Sequence, residues 1–200
     1  SVEQHGPHLP FSTDSVIADR VSRAVGQALP FPVVVAPVLS VSASGEHQAF
    51  PGTMSIGHDA LRAVLVEMIR SASTWAARTV IINGHGGNIS TLAQVVDQMR
   101  EEQHRVEWHA CAFESQADAH AGLEETAVML HLAPELVHMN RAEAGECTPL
   151  AEILPRLIAE GVRPVSPNGV LGDPRTATAD IGTGLFSALV ADIVERVTHG

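Results

Sequence analysis

The sequence predicts a single three-layer α/β/α domain with a mostly parallel sheet, spanning residues 1–200. Three observations carry that reading. Short apolar runs alternate with longer segments whose apolar residues recur at spacings of three and four. Val33–Val35 is continuous, as in a strand buried on both faces, while Val106–Phe113 alternates enough to be a strand. The chain of 200 residues is long enough for one sizeable core and too short for two ordinary domains.

The elements follow in order. Val16, Ile17, Val21, Ala24, Val25 and Ala28 mark a helix from Asp14 to Leu29, ended by Pro30 and Pro32. Val33–Val35 reads as a first buried strand, and Ser40–Gly57 as a long polar loop. A second helix covers about His58–Ala76 and leads directly into a strand at Thr79–Asn83. The Gly-rich turn Asn83–Asn88 follows, then a helix carrying Ile89, Leu92, Val95, Val96 and Met99. Val106–Phe113 is expected as a strand, and Glu124–Leu132 as a helix stopped by Pro134. Pro149–Glu160 reads as helical, Arg163–Pro174 as loop, and Thr183–Val197 as the closing helix. The chain opens at Ser1 without Met and with no strand ahead of its first motif. A parallel sheet wants one there, so a native N-terminal segment is expected to precede Ser1.

Composition narrows the function. A net charge of −11 with only 12 Lys and Arg argues against nucleic-acid binding, since little would offset phosphate repulsion. No apolar run approaches the roughly 20 residues of a membrane span, and no secretory leader is read. Cys111 and Cys147 form no CxxC pair and read as reduced, buried thiols of a cytoplasmic protein. The 11 His residues matter more, because several lie beside carboxylates.

Four stretches can carry chemistry. In Glu3-Gln-His5-Gly-Pro-His8, positions 3 and 5 point the same way along an extended chain, and Asp14 follows at a helix start. These side chains can surround one or two divalent ions; the alternative is a surface patch with Asp14 as a helix cap. Asn83-Gly-His85-Gly-Gly-Asn88 lies between a strand and a helix, where α/β sheets bind ligands. A phosphate cradle is its rival, but neither GxGxxG nor a Walker pattern is present. His120 and Glu125 lie in Asp118-Ala-His-Ala-Gly-Leu-Glu-Glu-Thr126; a carboxylate in a first helical turn is also favoured by the helix dipole alone. Glu46 and His47, in the long loop, could contact substrate or gate a site, or belong to an ordered loop pinned by Phe50.

Together EQHGPHLP…TD, GEHxxFPGT, NGHGGN and HAGxxET, in this order over nearly the whole chain, resemble the creatininase family of metal-dependent amidohydrolases. The resemblance implies a creatininase-like three-layer fold, two divalent ions per subunit (Zn, Fe or Mn) and a homo-oligomer, commonly a hexamer. It implies metal ligands at Glu3, His5, Asp14 and His85, with Asp14 bridging. Its proton donor matches His120, and a Glu46–His47 pair is the other candidate donor.

Two departures stand out. Creatinine-hydrolysing members have Glu where this chain has Gly87, so another ligand must complete the second metal, and Glu125 is the candidate. They also wall their substrate with tryptophans, whereas Trp75 and Trp108 lie outside every motif. Val165–Pro174, with Pro149–Arg163 before it and Ala177–Ala179 after it, is similar to the branch of the family that serves the mycofactocin system. That branch implies a peptidase acting on a modified precursor peptide and releasing a C-terminal Val-Tyr-derived pair. Another family amidohydrolase, acting on a small cyclic amide or formamide, is the alternative. A non-enzymatic metal-binding protein is the third reading.

Overall fold

A computed structural model of the protein describes residues 1–113 and 118–199. Two strands, β1 (Thr79–Asn83) and β2 (Val106–Ala110), pair in parallel with Thr79 opposite Val106 and Asn83 opposite Ala110. Among the described residues six α-helices accompany them: α1 (Thr13–Ala28), α2 (Gly57–Ala72), α3 (Ile89–Glu101), α4 (Leu123–Leu132), α5 (Leu150–Glu160) and α6 (Ala179–His199).

The alternation along β1 divides the core. Val80 and Ile82 face a cluster built from α1, α4 and α6, including Val21, Val128, Met129 and Ile193. Ile81, with Trp108 of β2, faces the opposite cluster of α2 and α3, including Ile69, Leu92, Val95 and Met99. Helices therefore cover both faces of the sheet, which gives the three layers expected. A third cluster, Ile153, Leu157, Val162, Val165 and Leu171, anchors Phe50 of the long loop. No helix among the described residues is long and apolar enough to cross a membrane.

Four sequence expectations need correction. Val33–Val35 forms no strand. It lines, together with residues of β1, a groove of about 1060 Å³, and among the described residues β1 pairs with β2 alone. Val34 is left 74% exposed. The second strand stops at Ala110 rather than Phe113. The last helix begins at Ala179, four residues before the expected Thr183, and includes two glycines. Finally, Cys147 is exposed rather than buried.

Those two helix glycines differ in kind. A Cβ on Gly182 would collide with the Ala127 carbonyl of α4, whereas nothing lies within 4 Å of one built on Gly184. Gly182 thus sets the close packing of α4 on α6, and Gly184 only costs helix propensity. Gly182→Ala should destabilise the fold by about 1–3 kcal/mol through overpacking. Gly184→Ala should stabilise it by up to about 1 kcal/mol. Chemical denaturation of both variants reads the contrast directly.

Candidate metal centre

The cluster gathers at the carboxyl end of β1, where the chain leaves the sheet at Asn83. Asn83 shapes the turn itself: its amide donates to the His85 carbonyl at 2.8 Å and its Oδ1 accepts from Asn88 at 3.1 Å. A Cβ on Gly84 would strike the Asp14 carbonyl, so glycine lets the start of α1 lie directly against this turn. The first motif is held from the other side. Glu3 N–H donates to the Phe11 carbonyl at 3.1 Å, Gln4 N–H to Thr53 Oγ1 at 3.2 Å, and Val2 bridges to Met54.

All eight candidate residues converge. Glu3, Asp14 and His85 form one compact group of potential ligand atoms, and His5, Asp14 and Glu125 form a second. Asp14 belongs to both. Its Oδ1 lies 2.9 Å from His5 Nε2 and its Oδ2 lies 3.4 Å from His85 Nδ1. Glu3 Oε1 lies 3.1 Å from His85 Nδ1, 3.3 Å from His47 Nε2 and 3.8 Å from His120 Nδ1. Glu125 Oε2 reaches to 3.9 Å from His5 Nε2 and accepts the Ala121 N–H at 2.6 Å.

Backbone carbonyls decide which nitrogen each ring presents. A carbonyl can only accept, so the nitrogen facing it carries hydrogen. His5 Nδ1 faces the Glu3 carbonyl at 3.1 Å, and His85 Nε2 faces the Ala43 carbonyl at 3.0 Å. Each ring therefore turns its other nitrogen towards Asp14. His120 is fixed in the same way, with Nε2 on the Gln4 carbonyl at 2.8 Å and Nδ1 towards Glu3. Its ring sits between those of His5 and His47, with centroids 4.3 and 4.4 Å away.

This donor set fits divalent metal ions. Both Glu3 carboxylate oxygens are sealed from solvent and neither makes a well-aligned hydrogen bond; Oε1 has only the imidazole nitrogens of His85, His47 and His120 beside it, a buried charge that a cation would complete. Imidazole and carboxylate side chains gathered around one shared Asp would suit Zn, Mn or Fe. The ring–carbonyl contacts are the outer supports such ligands normally have.

The charges interlock. Burial disfavours charge on every group, yet Asp14 with Glu125 and Glu3 raises His5 to about 9. Burial likewise opposes charge on His85, but Asp14, Glu3 and Glu46 hold its pKa well above the ordinary value. Burial and Asp14 push Glu3 up, while His85 and His47 hold it below the usual carboxylate range. Asp14 is held well below its usual value despite burial, chiefly by His5 and His85. Glu125 moves the other way, to about 7, mainly through burial. His120 is pushed well below its ordinary value by burial, then by His5 and His47.

Three residues of the cluster carry no sequence signal for their role. Gln4 alternates with Glu3 and His5, so its spacing points it away from them. Its Nε2 lies 2.8 Å from His47 Nδ1 and 3.0 Å from the Gly169 carbonyl. Only the contact with residues 163–174, distant in sequence, reveals it. Ser1 donates to Asp14 Oδ2 at 2.6 Å. His8 is buried and lies 2.8 Å from Thr126 Oγ1, tying the first motif to α4; burial, then His5, lowers it to about 4.

With raised pKa values, His5 and His85 hold protons near neutral pH, and a metal ion must displace them. Zinc binding should therefore release protons, and apparent affinity should climb as pH rises towards about 9, where His5 loses its proton unaided. Calorimetric titration in buffers of different ionisation enthalpy measures this release; zero net release would contradict the charge assignment.

Comparison with known proteins agrees in family and fold. The family model described as creatinine amidohydrolase matches residues 1–197. A protein of Mycobacterium ulcerans (strain Agy99), described as a mycofactocin precursor peptide peptidase, is 50% identical over 206 residues, covering 100% of this chain and 82% of its own. A protein of the same description from Mycolicibacterium smegmatis (strain ATCC 700084 / mc(2)155) is 47% identical, over 98% of this chain and 81% of its own. Among solved structures, a mutant creatininase of the Zn-Zn type matches with a TM-score of 0.82 at 22% identity, covering 98% of this chain and 86% of that one. At that identity the likeness establishes the fold. The chain belongs to the creatinine amidohydrolase (creatininase) family.

Proposed function

We propose that this protein is a divalent-metal-dependent peptidase that cleaves the modified mycofactocin precursor peptide and releases its C-terminal Val-Tyr-derived pair. The observation that carries the reading is Asp14 shared between two ligand groups, Glu3–Asp14–His85 and His5–Asp14–Glu125. The described function of relatives 47–50% identical over nearly the whole chain supplies the substrate. The tryptophans support a peptide over creatinine. Trp75 is exposed just beyond α2 and Trp108 packs against the α2–α3 core, so neither walls the cluster.

The proposed ligands are Glu3, Asp14 and His85 for one ion and His5, Asp14 and Glu125 for the other. Bound there, the ions would lower the pKa of a water and polarise the scissile carbonyl. The protein's own part is positional and protonic. Asp14 and Glu3 fix the spacing of the ligand groups, and the carbonyls of Glu3 and Ala43 fix the rings. His120, kept neutral by burial and by its imidazole neighbours, offers Nδ1 as the proton acceptor. Nδ1 takes the proton of the attacking water and delivers it to the leaving amine. His47, with Nδ1 2.8 Å from the Gln4 amide nitrogen, turns Nε2 to 3.3 Å from Glu3 Oε1 and adds to the charge around that carboxylate. By family, assembly into a homo-oligomer is part of the same proposal.

The test combines the chain, Zn, Mn or Fe in turn, and a modified precursor peptide ending in the Val-Tyr pair, read by mass spectrometry. Cleavage is expected, and Asp14→Asn should abolish it together with metal uptake. His120→Asn should lower the rate about 10²–10⁴-fold while metal content stays the same. No cleavage with any metal, alongside turnover of creatinine or a formamide, would replace the peptidase by the small-amide reading.

A further inference from the structure

Gly87 is a glycine without a conformational reason. It does not occupy the left-handed region that Gly6, Gly52 and Gly169 do. Its reason is close approach. A Cβ built there would collide with Glu46 Oε1 and His85 Nε2 together, and would come within 2.9 Å of the Ala43 carbonyl. Those three atoms converge on one point. Glu46 Oε1 and the Ala43 carbonyl each lie 3.0 Å from His85 Nε2. Gly86 and Gly45, by contrast, have nothing within 4 Å of a built Cβ.

We infer that Glu46 is a positioning residue for the metal centre: its carboxylate, admitted by the bare backbone at Gly87, holds His85 so that Nδ1 faces Glu3 and Asp14. The inference rests on the metal-centre reading and extends it to a residue outside the two proposed ligand groups, although Glu46 also belongs to a group of potential ligand atoms with Glu3 and His47. Glu46 comes from the short 3-10 turn Gly45–His47 of the long loop, so this loop reaches the centre through the far side of an imidazole. Its carboxylate is 4.0 Å from His47 Nε2, a full ångström beyond its distance from His85. The Ala43 carbonyl alone would fix which nitrogen carries hydrogen. A carboxylate 3.0 Å from the same nitrogen adds an ion pair beside that hydrogen bond, which strengthens the ring as a ligand and resists its rotation. A side chain at position 87 would separate donor from acceptor, so Glu46 and a bare residue 87 form a matched pair.

Zinc affinity of the whole chain, measured by competition with a chromophoric chelator, tests this without any activity assay. Glu46→Ala and Gly87→Ala should each weaken binding about 10–100-fold. Glu46→Gln, whose amide oxygen still accepts, should recover part of that loss, and Gly45→Ala should bind like the parent. The His85 Nε2–H proton resonance should move upfield in Glu46→Ala and stay in place in Gly45→Ala. Thermal melting in chelator confirms that each variant folds. If Glu46→Ala and Gly87→Ala hold zinc as tightly as the parent, while His85→Ala loses it, the inference is overturned and the centre stands. A parent chain that takes up no zinc overturns the centre itself.

Discussion

The arrangement depends on one buried carboxylate, Asp14, whose two oxygens look towards two different imidazoles. Such a group cannot be accommodated by burial alone, because removing a carboxylate from water costs several kcal/mol unless it is paired. The pairing here comes from His5 and His85, brought from different turns. Everything around Asp14 serves to keep those two rings in register with it. The Glu3 and Ala43 carbonyls orient the rings, Gly84 allows α1 to approach the turn after β1, and Ser1 caps the remaining lone pair of Oδ2.

A second ring of structure fixes those supports. Residues 163–174 run over the first motif, and their backbone enters where side chains cannot. A Cβ on Gly169 would collide with the Gln4 amide, and one on Gly6 would meet Val170. Gly169 adopts a φ of +81°, a conformation in which any other residue is strained. His120 pairs its backbone with Leu171, so the same segment also sets the ring facing Glu3. A stretch that reads as plain loop is thus the clamp that closes the centre.

Much of this is legible in the sequence, for identifiable reasons. Thr79–Asn83 is bounded by turn residues and wholly apolar within, and it forms β1 at those bounds. Glu3, His5, Asp14, His85, His120 and Glu125 stand out because ligand types at strand-end and helix-start positions are rarely put there for packing. Val33–Val35 misleads because an apolar run reports a wish for burial and says nothing about a partner within hydrogen-bonding distance. The early start of α6 is hidden by Gly182 and Gly184, whose poor helix propensity is overridden by packing on α4. Gln4 and the direction of Glu46 are invisible because their partners lie in segments far along the chain.

The same logic explains how a single chain tolerates so polar an interior. Four carboxylates and four imidazoles share one end of the sheet, where local rules of burial are broken together. Neither apolar cluster contains any of them: one lies under Val80 and Ile82, the other under Ile81 and Trp108. The hydrophobic layers therefore carry the stability, and the strand ends project a polar set beyond them. Because the proposed ligands sit on helix starts and turns fixed by those layers, their spacing is inherited from the packing. An ion would then bind a site already arranged for it, and the ordering cost is met during folding rather than at the moment of binding.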